Sequence, residues 1–133
     1  MPPPATVRLP GGGEADLVEL AREVCRRYDA EFPDERERYG RAGRQWCVHD
    51  NQHLLNWAVL DVRRDVVLDE QVAWLAKVLE AREFPLERLA RDLELAADVA
   101  RERLAGDGAA VAAALQRAGA MVRERGTFLG PAR

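Results

Sequence analysis

No apolar run in this chain of 133 residues approaches the ~20 residues that a membrane-spanning helix needs. Cysteine occurs only twice, too rarely for a small disulfide-held scaffold. The expectation is therefore a cytoplasmic protein with reduced thiols. Residues 1–13 have no basic region followed by an apolar stretch, so no secretion signal is expected. Neither sign of charge dominates: 20 Lys and Arg are interleaved with 23 Asp and Glu, for a net charge of −3. A nucleic-acid footprint needs a basic face or stripe, which this balance excludes. No segment sustains the alternation of a half-buried strand, so no sheet is expected.

What remains is a helix-forming composition. Apolar residues make up 47% of the chain and charged residues 32%, a globular balance at a length that supports one core. Ala, Leu, Glu and Arg dominate, and all four favour helix. Residues 1–14 hold four prolines and three consecutive glycines, the composition of a flexible tail. Residues 126–133, with Gly126, Gly130 and Pro131, read as a frayed end. Residues 15–125 form the single helical domain.

Within that domain, Leu17, Leu20, Ala21, Val24, Cys25 and Tyr28 recur at helical spacing and predict a helix over 16–28. Pro33, Asp34 and Glu35 suit a helix start, so 34–43 is a candidate short helix, weakened by Gly40 and Gly43. Further helices are predicted over 45–62, 68–82, 86–104 and 109–125. Pro85 separates the fourth from the fifth, and Gly106 to Gly108 breaks the fifth from the sixth. Their inward residues are Val72, Leu75, Ala76 and Leu79, then Leu86, Leu89, Leu93, Ala97, Ala100 and Leu104, then Val111, Leu115, Ala118 and Val122. Five to six helices with short connections make an all-α bundle or globin-like stack.

The chemistry is concentrated in the segment from Trp46 to Trp57. It contains Cys47, both histidines (His49 and His53), Asp50, three carboxamides and two of the three tryptophans. On a helical wheel, Cys47, Val48, Leu54, Leu55, Ala58, Val59 and Val62 share an apolar arc. Trp46, Asp50, His53, Trp57 and Asp61 share a second face, with His49 at its edge. Cys47 lies at the border, about 60° from Asp50.

A metal site is disfavoured by this geometry. Cys47 and His49 point about 160° apart on one helix and cannot close on one ion without unwinding it. His49 and His53 are spaced to share a metal but would need ligands from another helix, and the chain has no further histidine. A catalytic thiol needs a base and an oxyanion donor pair, and no glycine-rich turn or second polar cluster supplies them. The expectation is a non-enzymatic protein without a metal centre.

Each of these residues, taken alone, has a plain structural role. The cysteines suit a core, the tryptophans suit packing, and Asp50 suits a surface ion pair. Taken together, a face of Trp, Asp, His and Trp bordered by a thiol suits a flat, partly apolar ligand that forms hydrogen bonds. The arginines Arg36, Arg38, Arg41 and Arg44 lead into the motif and are candidates for meeting ligand carboxylates at a pocket mouth.

The segment Cys47-Val48-His49-Asp50-Asn51-Gln52-His53-Leu54-Leu55-Asn56 resembles the phycobiliprotein pattern Cys-x-Arg-Asp-x-x-Tyr-Tyr-Leu-Arg. The Cys, Asp and Leu55 positions coincide. His49 stands in place of the arginine, and His53 and Leu54 in place of the paired tyrosines. The following order of helix, Phe84-Pro85 corner and long helix is also similar, so the resemblance spans roughly 45–104. It implies a globin-like fold with a tetrapyrrole site. Cys47 would be the attachment point of a linear bilin, Asp50 the partner of its pyrrole nitrogens, and His49 a contact to a propionate. Haem, ligated by His49 or His53, ranks below bilin, because globins carry the ligating histidine on a different helix. The short, proline-rich N-terminus departs from the family's assembly hairpin and points to a stand-alone sensory or carrier domain. Its rival is a ligand-free module for homodimerisation or regulation, anchored by Trp57, Trp74 and Phe84.

Overall fold

Asp16 starts the first helix, because its carboxylate accepts the Glu19 N–H at 3.1 Å and satisfies one of the free donors of the first turn. The computed structural model describes residues 2–130, and within them α1 spans Leu17–Glu31. Its buried face consists of the six residues expected: Leu17, Leu20, Ala21, Val24, Cys25 and Tyr28. Pro33 opens α2, which runs Asp34–Val62 and is kinked at Gly40, where φ is +59°. The predicted helices over 34–43 and 45–62 are thus two arms of one bent element. The first arm, 34–46, is exposed or half-buried, whereas the second buries Asn51, Gln52, Leu54, Leu55, Ala58 and Val59.

Helix α3 spans Leu68–Ala81, and the Asp61 carboxylate accepts the Leu68 N–H at 2.7 Å at its start. Pro85 sets the entry to α4, Leu86–Arg103. A single 3-10 turn, Ala105–Asp107, leads into α5, Gly108–Arg125. Helix α4 is central: it packs on α5 and α1, with lesser contacts to α3 and α2. Helices α4 and α5 approach closely because small residues face each other. A Cβ on Gly119 would stand 3.3 Å from the Ala90 carbonyl oxygen, and one on Gly108 2.7 Å from that of Ala100. Among the described residues, no helix is long and apolar enough to cross a membrane.

The all-α expectation holds, with two corrections at the ends. The segment expected to be a sheetless, flexible tail forms an antiparallel hairpin of β1, Thr6–Arg8, and β2, Glu14–Asp16. Gly12 and Gly13 take the positive φ values its turn requires. Val7 and Ala15, one from each strand, enter the core. The Gln52 amide donates to the Pro4 carbonyl, and the Gly11 N–H donates to Asp107, so the hairpin is held at both ends. At the other terminus, the predicted fraying does not extend over 126–130. Phe128 is buried, and the Glu80 carboxylate accepts the Phe128 N–H at 2.6 Å and the Leu129 N–H at 3.2 Å. Residues 131–133, also expected to fray, lie outside the described residues.

Candidate functional site

The bend in α2 leaves a cleft of about 260 Å³ between α2, α3, α4 and the end of α1. One wall is apolar, built from Leu54, Leu75, Leu79, Phe84 and Leu89, with Tyr39 and Trp46 at the exposed rim. Arg82, Arg88 and Glu35 carry charge at its edge. Arg88 is held there by Asp34 at 3.0 Å and Glu35 at 3.3 Å, with its guanidinium over the Phe32 ring. The arginines expected at the mouth are placed differently. Arg44 pairs with Asp29 at 2.6 Å and Arg36 with the same carboxylate at 3.9 Å, so both bind α1 rather than line this cleft.

The floor is polar. Cys25 on α1 and Cys47 on α2 are joined in a disulfide, with Cα atoms 6.1 Å apart. This corrects the expectation of reduced thiols: α1 and α2 pack side by side, and Cys25 in the buried stripe of α1 faces Cys47 at the apolar border of α2. The Asn51 amide nitrogen lies beneath them, 3.6 Å from Cys25 Sγ, 3.5 Å from Cys47 Sγ and 3.0 Å from the Cys47 carbonyl oxygen. The same nitrogen donates to Asp92 Oδ1 at 3.0 Å. Asp92 projects from α4 and is buried in the cleft floor. Burial pushes its carboxyl up to about 7, the Asn51 hydrogen bond opposes that rise, and the nearby Asp50 and Glu35 carboxylates add to it.

Two further polar atoms face this floor. Among the described residues, the Asn51 side-chain oxygen and the Tyr28 hydroxyl are buried without a hydrogen-bond partner of normal geometry. Burial above all, and then the Glu35 carboxylate, push the Tyr28 phenol up, so it stays a donor at neutral pH. An unpaired buried polar atom costs about 1–3 kcal/mol, and both residues line the cleft.

The structure divides the six residues singled out from the sequence. Trp46, Cys47 and Asp50 line the cleft. His49, His53 and Trp57 do not; they continue from Trp46 as a row of rings along the outer side of α2. Successive centroids are 5.4, 4.9 and 5.3 Å apart, the last pair stacked. His49 Nδ1 lies 3.2 Å from Asp50 Oδ1 and so links the row to the cleft. Burial raises the Asp50 carboxyl, and this histidine contact opposes the rise. Among the described residues, no group of three His, Cys, Asp or Glu side chains is arranged to hold a metal ion.

Sequence reasoning passed over Tyr28, Asn51, Arg88 and Asp92. A signal existed for two of them. Asn51 lies four residues after Cys47 on the apolar arc of α2, and Asp92 lies between Leu89 and Ala96 on that of α4. A polar residue inside an apolar stripe must find a buried partner, and these two found each other.

By fold and site, the chain is a helical protein with one apolar cleft over a polar, disulfide-bearing floor. No protein-family model matches it, and no curated protein or solved structure matches it significantly.

Proposed function

We propose that this chain is a non-enzymatic ligand-binding or sensory domain, whose cleft takes a small, flat, largely apolar molecule with a donor and an acceptor at one end. The observation that carries this reading is an apolar wall of Leu54, Leu75, Leu79, Phe84 and Leu89 over a floor that holds the Tyr28 phenol and the Asn51 amide. Both residues line the cleft, so a ligand edge with an acceptor and a donor meets them once the side chains over them shift. Drug-sized ligands fill roughly 300–1,000 Å³. A cleft of about 260 Å³ therefore suits a fused-ring heteroaromatic better than a whole tetrapyrrole.

A linear bilin is the larger version of the same reading, favoured by Cys47, Asp50 and Trp46 lining one cleft. It requires most of the pigment to lie in the open mouth, and a thioether at Cys47 requires the disulfide to be reduced first. Haem fits less well, because His49 and His53 stand outside the cleft. The central α4, with a cleft at its side, is in keeping with a globin-like stack, and a cytoplasmic setting would keep the two cysteines reduced. The homodimer alternative draws on Trp74, which is 61% exposed on α3.

The test is a titration followed by two-dimensional NMR, with fused-ring heteroaromatic fragments, biliverdin, phycocyanobilin and haemin as probes. The Asn51 side-chain amide and the Trp46 indole signals are expected to move together with at least one fragment. Tyr28→Phe should weaken that binding by about tenfold, the value of one well-formed hydrogen bond. If no probe moves either signal, the ligand reading fails. A tight dimer by sedimentation, with no probe bound, would put the dimerisation module in its place.

A further inference from the structure

We propose that the Cys25–Cys47 disulfide is a thiol–disulfide exchange site, entered through the cleft by a small thiol that attacks Cys47 while Cys25 leaves. This goes beyond the ligand reading and does not rest on it.

The two sulfurs are not equivalent. Cys25 is 1% exposed, whereas Cys47 is half-buried and lines the cleft. An incoming thiol therefore has access to one sulfur of the bond, and the other is the enclosed leaving group. The leaving sulfur is not left in an apolar wall. The Asn51 amide nitrogen has two N–H groups and four acceptors around it: both sulfurs, the Cys47 carbonyl and Asp92. When Cys25 becomes an anion, it competes best for those donors, because hydrogen bonds to charged acceptors are the stronger ones.

Asp92 lies across the same amide. A buried acid is costly, and an apolar residue of similar volume would generally be neutral or stabilising in its place. Its position beside a disulfide gives the cost a use: with a carboxyl pushed up to about 7, it holds a proton over the lower part of the neutral range.

The exchange balances as follows. The small thiolate bonds to Cys47 Sγ, the Cys47–Cys25 bond breaks, and its electron pair leaves on Cys25 Sγ. The Asn51 N–H stabilises that thiolate, and the Asp92 carboxyl supplies the proton that neutralises it. A second small thiolate attacks the outer sulfur of the mixed disulfide and frees Cys47, which takes a proton from solvent. Two small thiols become one small disulfide, and the protein disulfide becomes two thiols. Reduction also releases the covalent tie between α1 and α2 at the cleft floor, so the thiol balance of the surroundings is written into this site.

The probe is glutathione, applied to the oxidised full chain under native conditions with circular dichroism as the control for folding. Quenching with iodoacetamide during reduction, followed by peptide mapping, should place the mixed disulfide on Cys47. Given oxidised glutathione, which exchanges with a free thiol and releases one glutathione, Cys25→Ser should accumulate that adduct on Cys47, and Cys47→Ser, whose remaining thiol is enclosed, should form none. The rate per attacking thiolate should fall about tenfold from pH 6 to pH 8, as the protonated share of Asp92 falls. In Asp92→Asn, which keeps the shape and the contact with Asn51, that fall should vanish. An adduct on Cys25, a reduction rate equal to that of global unfolding, or an unchanged pH profile in Asp92→Asn would each overturn the proposal.

Discussion

Helices α4 and α5 approach closely at two glycines, Gly119 beside the Ala90 carbonyl and Gly108 beside that of Ala100, with an Arg123–Glu94 ion pair joining them. Around the cleft, α2 meets α1 and α4 through a disulfide, an amide and a carboxyl. Both regions belong to one continuous core, yet they use it differently. At those glycines the backbones lie so close that an added methyl group would crowd a carbonyl oxygen. At the cleft floor, polar side chains bridge the helices beside a cavity of about 260 Å³.

That contrast can be broken first by truncation. Leu115, fully buried on α5, should lose about 3–4 kcal/mol as Leu115→Ala, because the dense seam cannot collapse onto the gap. Leu79, half-buried on the cleft wall, should lose about 1 kcal/mol as Leu79→Ala, since one side already faces open space. Urea unfolding measures both, and equal losses would mean that the two regions are packed alike.

The second comparison concerns pH. The Asp92 carboxyl is raised in the folded state to about 7, against about 4 in an unfolded chain. The folded protein therefore binds the proton more tightly. Stability falls as pH rises from about 4 through about 7, then levels off. Asp92→Asn lacks this loss, so it should be more stable than wild type by up to about 4 kcal/mol at pH 8, three pKa units at about 1.4 kcal/mol each, and nearly equal near pH 4. Paired denaturation curves at the two pH values supply the check. A variant less stable at pH 8 would show that the cleft floor is built for stability, as the seam is.

The smallest effect is expected at the seam itself. Gly108→Ala would bring a Cβ within 2.7 Å of the Ala100 carbonyl, in a direction where only backbone can yield. The loss should be about 1 kcal/mol, because better helix propensity offsets part of the crowding. Thermal unfolding resolves a change of this size, and a gain in stability would show that the seam is looser than its contacts suggest.

The helices were legible because their cause is local. All six predicted inward residues of α1 are buried, as are Val111, Leu115, Ala118 and Val122 of α5. The hairpin escaped notice because strands of three residues are too short to display alternation. Phe128 escaped because a lone aromatic after Gly126 carries no period of its own. Trp46, Cys47 and Asp50 stood out in the sequence by their chemistry and line the cleft, while Asn51 and Asp92 were hidden within apolar stripes.

Residue spacing along the chain determined where helices start, which face each one buries and which segment carries the reactive side chains. A helical turn involves only neighbours, and apolar periodicity records it directly. Tertiary packing alone decided that Cys25 meets Cys47 and that Asp92 of α4 lies against Asn51 of α2. It also turned three of the six motif residues into the cleft and the other three away from it. Those outcomes depend on the distance and rotation between whole helices, which are set by the sizes of the residues at their contacts and not by any one segment read alone.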